Sequence, residues 1–460
     1  MKIARKSTVK CFIGDTIIGG ESDISIQSMT NSTTGDVERT VAQCKEIFNE
    51  GADYVRIAVP SMNDIDAIRE ISRQLNGAGI YNPLIADIHF NPKIAEALTS
   101  VVDKIRINPG NFTNETDFLD KKYEKEEYEK SLEETRSRVK PLIENCLRHG
   151  TAIRIGINHG SLSQRIISKF GNSPEAMANS AIEWIAICES YDFTNLVLSL
   201  KASNVHFMLE SYFHLEKLME ARGKHYPLHI GVTEAGNGLE GRAKSAAGIG
   251  ALLLQGLGDT IRVSLTENPV NEIVFGKKIV AAVEDIQSDF YTIDENRTLF
   301  YTHHEPDREK FIAEVAAISS YEHYKRALND LKIANRFLST AEIENMEKIV
   351  LQAVGIKIFF AEFISCPSCS RTQFDIEKVT AHVKEKFSSF RGVKIGIMGC
   401  VVNGPGEMAD AHYGIVGYGK DRAAVYKGKQ AISKSLPMEE ALQLLEKTIL
   451  LEKKNFGGEF

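Results

Sequence analysis

The sequence predicts an α/β protein in which a (β/α)8 TIM-type barrel precedes a smaller α/β domain. Eight short β-rich runs recur between residue 24 and about residue 265, mostly separated by helical patterns, and this length is usual for such a barrel. An open doubly wound sheet is the alternative, because counting strands does not establish that a sheet closes. The predicted strands are 24–29, 54–59, 83–88, 104–107, 152–157, 196–200, 228–232 and 260–265.

The helical patterns divide the chain into three parts. Opposite charges at helical spacing predict a solvent-exposed helix at 117–138, and other helices are predicted at 37–49, 92–101, 174–190 and 242–257. An insert or linker starts with a polar and aromatic run at 287–297 that the pattern leaves unassigned. It becomes helical over 308–349 and is predicted to be mostly helical. The predicted domains are a substrate-binding barrel at 1–285, the insert at 286–353 and a small α/β domain at 354–460.

The small domain is predicted to present three thiols and a carboxylate on two loops. Its predicted elements are strand 356–364, helix 374–387, strand 394–398, strand 412–416 and helix 438–451. Cys366 and Cys369, at C-x2-C spacing, follow the first strand, Cys400 ends the second, and Glu407 lies in the next turn. Three thiolates with an incomplete fourth position suit an iron–sulfur cluster with one exposed iron, or zinc. A structural zinc site completed by His412, or simply buried thiols, is the alternative.

Five predicted barrel strands carry a cation beside apolar neighbours. Burying such a cation without a partner costs several kcal/mol, and one of them alone could pair with a carboxylate. Five together predict a polyanion at the barrel mouth, where parallel strands present their carboxyl ends. Arginine suits phosphate because it can donate two hydrogen bonds side by side. The candidate binding residues are Arg56, Arg106, Arg154, Lys201 and Arg262, with the neighbouring Asn108, Asn158 and Ser264.

Two carboxylates occupy equivalent strand ends. Asp87 and Glu234 could orient the arginines, hold a substrate hydroxyl or transfer protons. Ion pairing with the arginines is an equally good interpretation for Asp87. Glu234 runs into a glycine-rich loop at 235–242 that opens a helix, an arrangement that suits an anion.

Both halves of the chain resemble one enzyme family. The motifs that carry the resemblance are 363–372 (FISCPSCSRT), 397–407 (IMGCVVNGPGE), 27–30 (QSMT), 54–56 (YVR), 106–111 (RINPGN), 154–163 (RIGINHGSLS) and 231–236 (GVTEAG). They are similar to those of the 4-hydroxy-3-methylbut-2-enyl diphosphate synthases, iron–sulfur enzymes of the non-mevalonate isoprenoid route. Some relatives carry a complete extra domain where this chain has its insert, and 286–353 is too short for one.

The resemblance implies a reaction and a cofactor. It implies a [4Fe-4S] cluster on Cys366, Cys369, Cys400 and Glu407, and ferredoxin or flavodoxin as electron donor. 2-C-Methylerythritol 2,4-cyclodiphosphate would be opened reductively to the linear allylic diphosphate. We then expect Glu234 to transfer a proton, Asp87 to hold a hydroxyl, and Glu407 to be labile enough for substrate to displace it. The competing hypothesis is a non-catalytic phosphosugar-binding barrel with a structural zinc domain. A radical or hydratase iron–sulfur enzyme is a third hypothesis, but the sequence contains no C-x3-C-x2-C run.

Composition limits the location and the partners. A net charge of −7 argues against general affinity for nucleic acid, and no apolar run is long enough to span a membrane. Seven cysteines without a disulfide framework indicate a reducing, cytoplasmic setting. In short members of the family the cluster domain caps the partner subunit's barrel. We therefore expect a two-fold homodimer with two composite sites. The alternative is that the reduced insert lets the two domains of one chain close on each other.

Overall fold

Eight parallel strands form a closed barrel in the computed structural model, which describes residues 3–112, 122–402 and 404–452. Strands adjacent in sequence pair with each other, except that the sixth meets the seventh through a single parallel bridge between Leu198 and Leu228. The eighth strand pairs with the first at Thr260 and Ser25, which completes the ring. The predicted barrel is therefore confirmed, and the open sheet is excluded. The strands are Ser25–Met29, Tyr54–Ala58, Leu84–Ile88, Lys104–Ile107, Ala152–Asn158, Leu196–Lys201, His229–Ile230 and Thr260–Ile261.

Helices cover the outside of the barrel, so its strands are buried on both faces. Several begin at Asp or Asn residues whose side chains accept a hydrogen bond from the first turn, as at Asp36 and Asn204. Residues 117–121 of the predicted charged helix lie outside the described residues, and the helix observed there begins at Lys125. The outer helices are Val37–Asn49, Asp64–Gly77, Pro92–Leu98, Lys125–His149, Pro174–Glu189, Val205–Ala221, Gly238–Leu254 and Pro269–Asp285. Shorter turns lie at Pro109–Phe112, His159–Ser161 and Gln164–Phe170.

An antiparallel hairpin closes the amino-terminal end of the barrel. Its strands, Cys11–Ile13 and Thr16–Ile18, precede the first barrel strand. Buried side chains of the hairpin pack against Tyr54, Ile85 and Val197, which lie at the starts of their strands. The hairpin does not cover the opposite end of the barrel, where the strands finish and where a site can form.

The insert is a small α/β unit and not a helical connection. Helices Arg308–Arg326 and Thr340–Val354 accompany a three-stranded sheet of Tyr291–Ile293, Thr298–Thr302 and Asp330–Ala334. The prediction of continuous helix over 308–349 is wrong at Asp330–Ala334. There, buried Leu331 and Ile333 alternate with exposed Lys332, which is the period of a strand.

The last domain is a mixed sheet with helices Ile376–Phe387 and Met438–Leu451. Its first three strands are parallel and the fourth is antiparallel to the third. The predicted strand 356–364 is shorter, because the backbone N–H groups of Phe359 and Phe360 donate to the side chain of Gln352 and belong to the linker. The strands are Glu362–Ser365, Lys394–Met398, Tyr413–Gly417 and Arg422–Lys427, with short edge pieces at Gln430–Ala431 and Leu436–Pro437.

This domain lies over the mouth of the barrel of its own chain. Ala235 of the barrel forms a parallel bridge with Ser365, and Lys244 pairs with Glu362 at 2.7 Å. Gly160 and Gly406 meet backbone to backbone, since a Cβ on Gly406 would lie 2.1 Å from the carbonyl oxygen of Gly160. The expectation that the cap covers a partner's barrel therefore differs from the structure. None of the described helices is long and apolar enough to cross a bilayer.

The first prediction concerns the packing of the insert on the barrel. A Cβ on Gly250, in barrel helix Gly238–Leu254, would lie 2.4 Å from the Cβ of Ala317 in insert helix Arg308–Arg326. Gly250→Ala should therefore lower the free energy of unfolding by about 1–3 kcal/mol, as overpacking does. Urea unfolding measures this. Gly77→Ala, where a Cβ meets nothing within 4 Å, is the control and should cause no loss; equal behaviour of the two variants would contradict the prediction.

Candidate active site

The ends of the barrel strands and the cysteine loops enclose a cavity. All five strand cations that the sequence singled out line it from the barrel side. Cys366, Cys369 and Cys400 line it from the cap side. The structure thus brings the two sets of candidate residues, which lie far apart in the sequence, to opposite walls of one space. From the barrel its lining includes Arg56, Asp87, Arg106, Arg154, Asn158, Lys201, Glu234, Arg262 and Ser264.

Arg154 and Lys201 are buried and form no ion pair with a carboxylate of the described residues. Arg154 is 1% exposed, and its Nε and one terminal nitrogen have no hydrogen-bond partner among the described residues. Burial, and then the positive charges of Arg56 and Arg106, hold the pKa of Arg154 well below its usual value. Burial and the charge of Arg154 do the same for the pKa of Lys201. This arrangement is costly without an anion, so it fits a site that binds one.

The other arginines differ in how well the protein satisfies them. Arg262 donates two hydrogen bonds to Glu272, at 3.1 and 3.0 Å, and so has an ion-pair partner of its own. Among the described residues, the Arg56 guanidinium donates hydrogen bonds only to the sulfur of Met29, the shorter at 2.9 Å. Burial lowers the pKa of Arg56 to about 9. A thioether is a weak acceptor, so most of the hydrogen-bonding capacity of Arg56 remains for a ligand.

The carboxylate of Asp87 binds one arginine from the barrel and one from the cap domain. Its Oδ1 accepts from Arg106 at 3.1 Å, and its Oδ2 accepts from Arg371 of the cysteine loop at 3.0 Å. Burial would raise the pKa of Asp87, but Arg106 and Arg56 outweigh it and hold this pKa well below the usual range. Burial and the charge of Arg106 lower the pKa of nearby His89 to about 3, so this imidazole is neutral. Asp87 is therefore a permanent anion here, as expected of a group that orients cations.

Arg371 is a site residue that the sequence reasoning missed. It lies two residues after Cys369 and is the only cation in the sequence of that loop, which is the signal that could have identified it. Besides the carboxylate, it donates to the backbone oxygen of Asp87 at 2.7 Å. It also lines the cavity.

The predicted polar residues Asn158, Ser264 and Asn108 differ in whether they line the cavity. The Oδ1 of Asn158 accepts from Arg106 at 2.8 Å, and Gly156 makes room for that arginine, since a Cβ there would lie 2.4 Å from its Nε. Ser264 lines the cavity, whereas Asn108 is not among the lining residues and donates to the hydroxyl of Ser161 at 2.8 Å. Asn108 thus fixes the position of the loop that follows the fifth barrel strand.

Glu234 and Glu407 form a buried pair of carboxyl groups across the domain boundary. Burial, and then the charge of Glu407, raise the pKa of Glu234 well above its usual value. Burial also raises the pKa of Glu407, and neither of its oxygens makes a well-directed hydrogen bond to a described residue. Glu234 has the left-handed backbone conformation, with φ of 54°, which is strained for a residue with a side chain. Such a pair retains a proton near neutral pH or else takes a cation.

The thiols and Glu407 fit a metal cluster chemically. Cys366 accepts a hydrogen bond from the backbone N–H of Gly399 at 3.2 Å, while burial and then Cys400 raise the pKa of its thiol well above 9.0. A metal is what would keep such crowded thiols deprotonated, and unsatisfied carboxylate oxygens are free to be ligands. As they stand, no three His, Cys, Asp or Glu side chains in the described ranges converge on one ion. The side chains would have to turn toward the group they hold.

Fold and site together define a TIM-barrel protein with buried cations at the barrel mouth opposite a three-thiol cap. Comparison with known families agrees with this class. A model described as "GcpE TIM-barrel domain" matches residues 8–277, and one described as "GcpE protein C-terminal domain" matches residues 362–450. The chain belongs to the GcpE family.

Relatives extend over nearly the whole chain. A protein of Parabacteroides distasonis named 4-hydroxy-3-methylbut-2-en-1-yl diphosphate synthase (flavodoxin) is 35% identical over 596 positions, covering 97% of each chain. One of Trichodesmium erythraeum, named as the ferredoxin enzyme, is 38% identical over 449 positions, covering 96% of this chain and 93% of the relative. The first alignment is longer than the 460 residues of this chain, so that relative has segments that this chain lacks.

Among solved structures, dihydropteroate synthase from Stenotrophomonas maltophilia is 15% identical, with a TM-score of 0.39. The match covers 61% of this chain and all of that one. A likeness of this size supports no conclusion about function.

The second prediction distinguishes an unpaired cation from a paired one. Arg154→Met removes a buried charge that lacks a carboxylate, so without added anions the variant should unfold at a higher urea concentration than the wild type. Arg262→Met should be destabilising by about 3–5 kcal/mol, because it leaves Glu272 buried and unpaired. Millimolar pyrophosphate should stabilise the wild type more than Arg154→Met. Loss of stability in both variants, with unchanged pyrophosphate response, would contradict this assignment.

Proposed function

We propose that this chain is an oxidoreductase that opens 2-C-methyl-D-erythritol 2,4-cyclodiphosphate to (E)-4-hydroxy-3-methylbut-2-enyl diphosphate. The observation that carries the proposal is the single cavity, with unpaired cations on one wall and three thiols on the other. The names of the relatives support the same reaction. The reaction takes up two electrons and releases one oxygen of the substrate as water. A zinc-bearing sensor is not favoured, since the relatives are synthases.

The barrel wall holds the diphosphate in this proposal. Arg154 has two nitrogens without a hydrogen-bond partner among the described residues, and Arg56 donates to a weak thioether acceptor, so both contact phosphate oxygens directly. Lys201, buried beside Arg154, adds a third positive charge to the same wall. Arg106, kept in place by Asp87 and Asn158, presents a fixed guanidinium beside them. Arg262, with its own partner, contributes mainly charge, and Ser264 offers a hydroxyl. Each charge-assisted hydrogen bond contributes about 1.5–3 kcal/mol.

The cap wall supplies electrons, and Glu234 of the barrel supplies a proton. Cys366, Cys369, Cys400 and Glu407 are the proposed ligands of a [4Fe-4S] cluster, which when bound supplies electrons one at a time. Burial and the charge of Glu407 raise the pKa of Glu234, and Glu234 lines the cavity, so we assign it the proton that goes to the oxygen leaving as water. Asp87 stays ionised and orients Arg106, with a substrate hydroxyl as a second possible partner.

Contacts between the domains keep water out of the reaction. The hydroxyl of Thr266, just beyond the eighth strand, lies 2.7 Å from that of Ser365 and also donates to the backbone oxygen of Cys366 at 3.3 Å. Ser203 of the barrel donates to Asp410 of the cap at 2.7 Å. Closure of this kind strengthens electrostatic interactions in the site and protects reactive species from hydrolysis.

The electron donor, the compartment and the assembly complete the proposal. Relatives are named for flavodoxin or for ferredoxin, so either class of carrier is a candidate donor. None of the seven cysteines forms a disulfide, which supports a cytoplasmic location. A homodimer is proposed as before, but with each site complete within one chain.

The third prediction tests the cluster. Anaerobically reconstituted protein should be brown, with broad visible absorbance that bleaches on reduction. Cys366→Ser, Cys369→Ser and Cys400→Ser should each abolish the absorbance and turnover of the cyclic diphosphate, while Glu407→Gln should keep part of the iron and lose most turnover. Cys44→Ala changes a buried barrel thiol far from the site in the fold and is the control. Full iron content in any of the three serine variants would reject the ligand set.

The fourth prediction tests closure within one chain. A barrel-defective variant (Arg154→Met with Glu234→Gln) is mixed with a cap-defective variant (Cys400→Ser) under conditions where subunit exchange is confirmed. Because the cap covers its own barrel, the mixture should regain no activity. Regained activity would mean that caps and barrels pair between chains in solution.

A further inference from the structure

A groove on the surface lies directly outside the loop that carries Cys400. Its free volume is about 320 Å³, and it is open to solvent. Four residues line both this groove and the cavity on the other side: His89, Arg371, Cys400 and Val402. The cysteine loop is therefore a wall between the candidate substrate site and the surface.

The groove has an apolar floor with exposed side chains. Phe90 is 50% exposed and Val401 is 44% exposed, and Pro60 beside them is also exposed. Large apolar side chains that lie together on a surface commonly mark an interaction site. Here they flank a candidate cluster ligand.

The described residues that line the groove carry no carboxylate, although Asp64 and Asp421 lie next to its edge residues Pro60 and Gln373. No Asp or Glu is among its lining residues, which are Val59, Pro60, Ile88, His89, Phe90, Asn91, Ile94, Ser370, Arg371, Gln373, Cys400, Val401 and Val402. Exposed Lys93 lies in the same helix turn as the lining residues Asn91 and Ile94. The whole chain has a net charge of −7, whereas the described lining of the groove has no acidic side chain. This difference in charge favours an acidic partner at the groove.

We infer that this groove is the docking surface for the electron-carrier protein, a small redox protein of the flavodoxin or ferredoxin class with an acidic rim around its redox group. The inference rests on the proposed function, which requires a reductant to approach the cysteine ligands, and Cys400 lines both the groove and the substrate cavity. Each encounter moves one electron from the reduced carrier to the enzyme and leaves the carrier oxidised. Two encounters supply the two electrons of one turnover.

The chemistry of the groove suits a partner that must leave again after each electron. Transient redox complexes bury less than about 1,200 Å² in total, so a few apolar contacts suffice to hold them. Charges at the rim mainly increase the association rate and make it sensitive to salt. The exposed Phe90 and Val401 provide the contacts, and Lys93 provides the rim charge.

The test separates docking from catalysis by comparing two reductants. Phe90→Glu should weaken binding of an oxidised flavodoxin or ferredoxin, measured by calorimetry, about ten-fold or more, since an apolar contact is replaced by a charge that repels the carrier. Turnover driven by that carrier should fall in parallel, whereas turnover driven by a reduced viologen should not change. Phe337→Glu, at an equally exposed phenylalanine (49%) of the insert, is the control and should behave like the wild type.

Lys93→Glu is a second variant that alters only an exposed side chain. It should slow carrier association most at low salt and little at high salt. Unchanged carrier affinity in both groove variants would overturn the docking assignment, and so would an equal loss with carrier and viologen. Failure of the proposed function looks different, because the wild type would then show no viologen-driven turnover of the cyclic diphosphate at all.

Discussion

The structure depends on one buried carboxylate, Asp87, which holds a cation from each domain. Arg106 reaches it from the neighbouring barrel strand, and Arg371 reaches it from the cysteine loop. Removing one partner of a buried ion pair typically costs about 3–5 kcal/mol, because the other charge stays behind without compensation. The same interaction that arranges the anion site thus also fixes the cap above it. The carboxylate of Asp87 therefore both positions a cation of the barrel wall and holds the cap in place.

The barrel could be predicted from the sequence because its signal is local. Strand runs, strand cations and the C-x2-C pair are each visible within a few residues. The pairings that decide what each cation does are not local: Arg371 and Asp87 are 284 positions apart. Sequence could not distinguish Arg154, which has no carboxylate, from Arg262, which has Glu272. Those two arginines look alike in the sequence, and only the folded chain separates them.

The sequence left two positions open for the cap, on its own barrel or on a partner's, and the insert explains why it lies on its own. Helix Arg308–Arg326 packs along barrel helix Gly238–Leu254, with Gly250 against Ala317, so the insert stays on the barrel wall. From there the linker after Val354 leads directly to Glu362, which pairs with Lys244 of the barrel and Lys394 of the cap. Burial would raise the pKa of Glu362, but these lysines lower it to about 2, so the pair persists at any physiological pH. An insert smaller than that of some relatives is therefore long enough for closure.

The cavity brings together groups whose pKa values are shifted in opposite directions. The barrel wall gathers positive charge around Arg154 and Lys201, and burial lowers their pKa values. At the domain boundary, burial raises the pKa values of Glu234 of the barrel and of Glu407 and Cys366 of the cap. In the proposed function, the diphosphate would offset the first of these shifts and the iron of the cluster would offset the second. Strain stored at a site persists only where the surrounding fold holds it in place. Here the barrel and the contacts at Asp87 and Ser365 hold the two walls against each other.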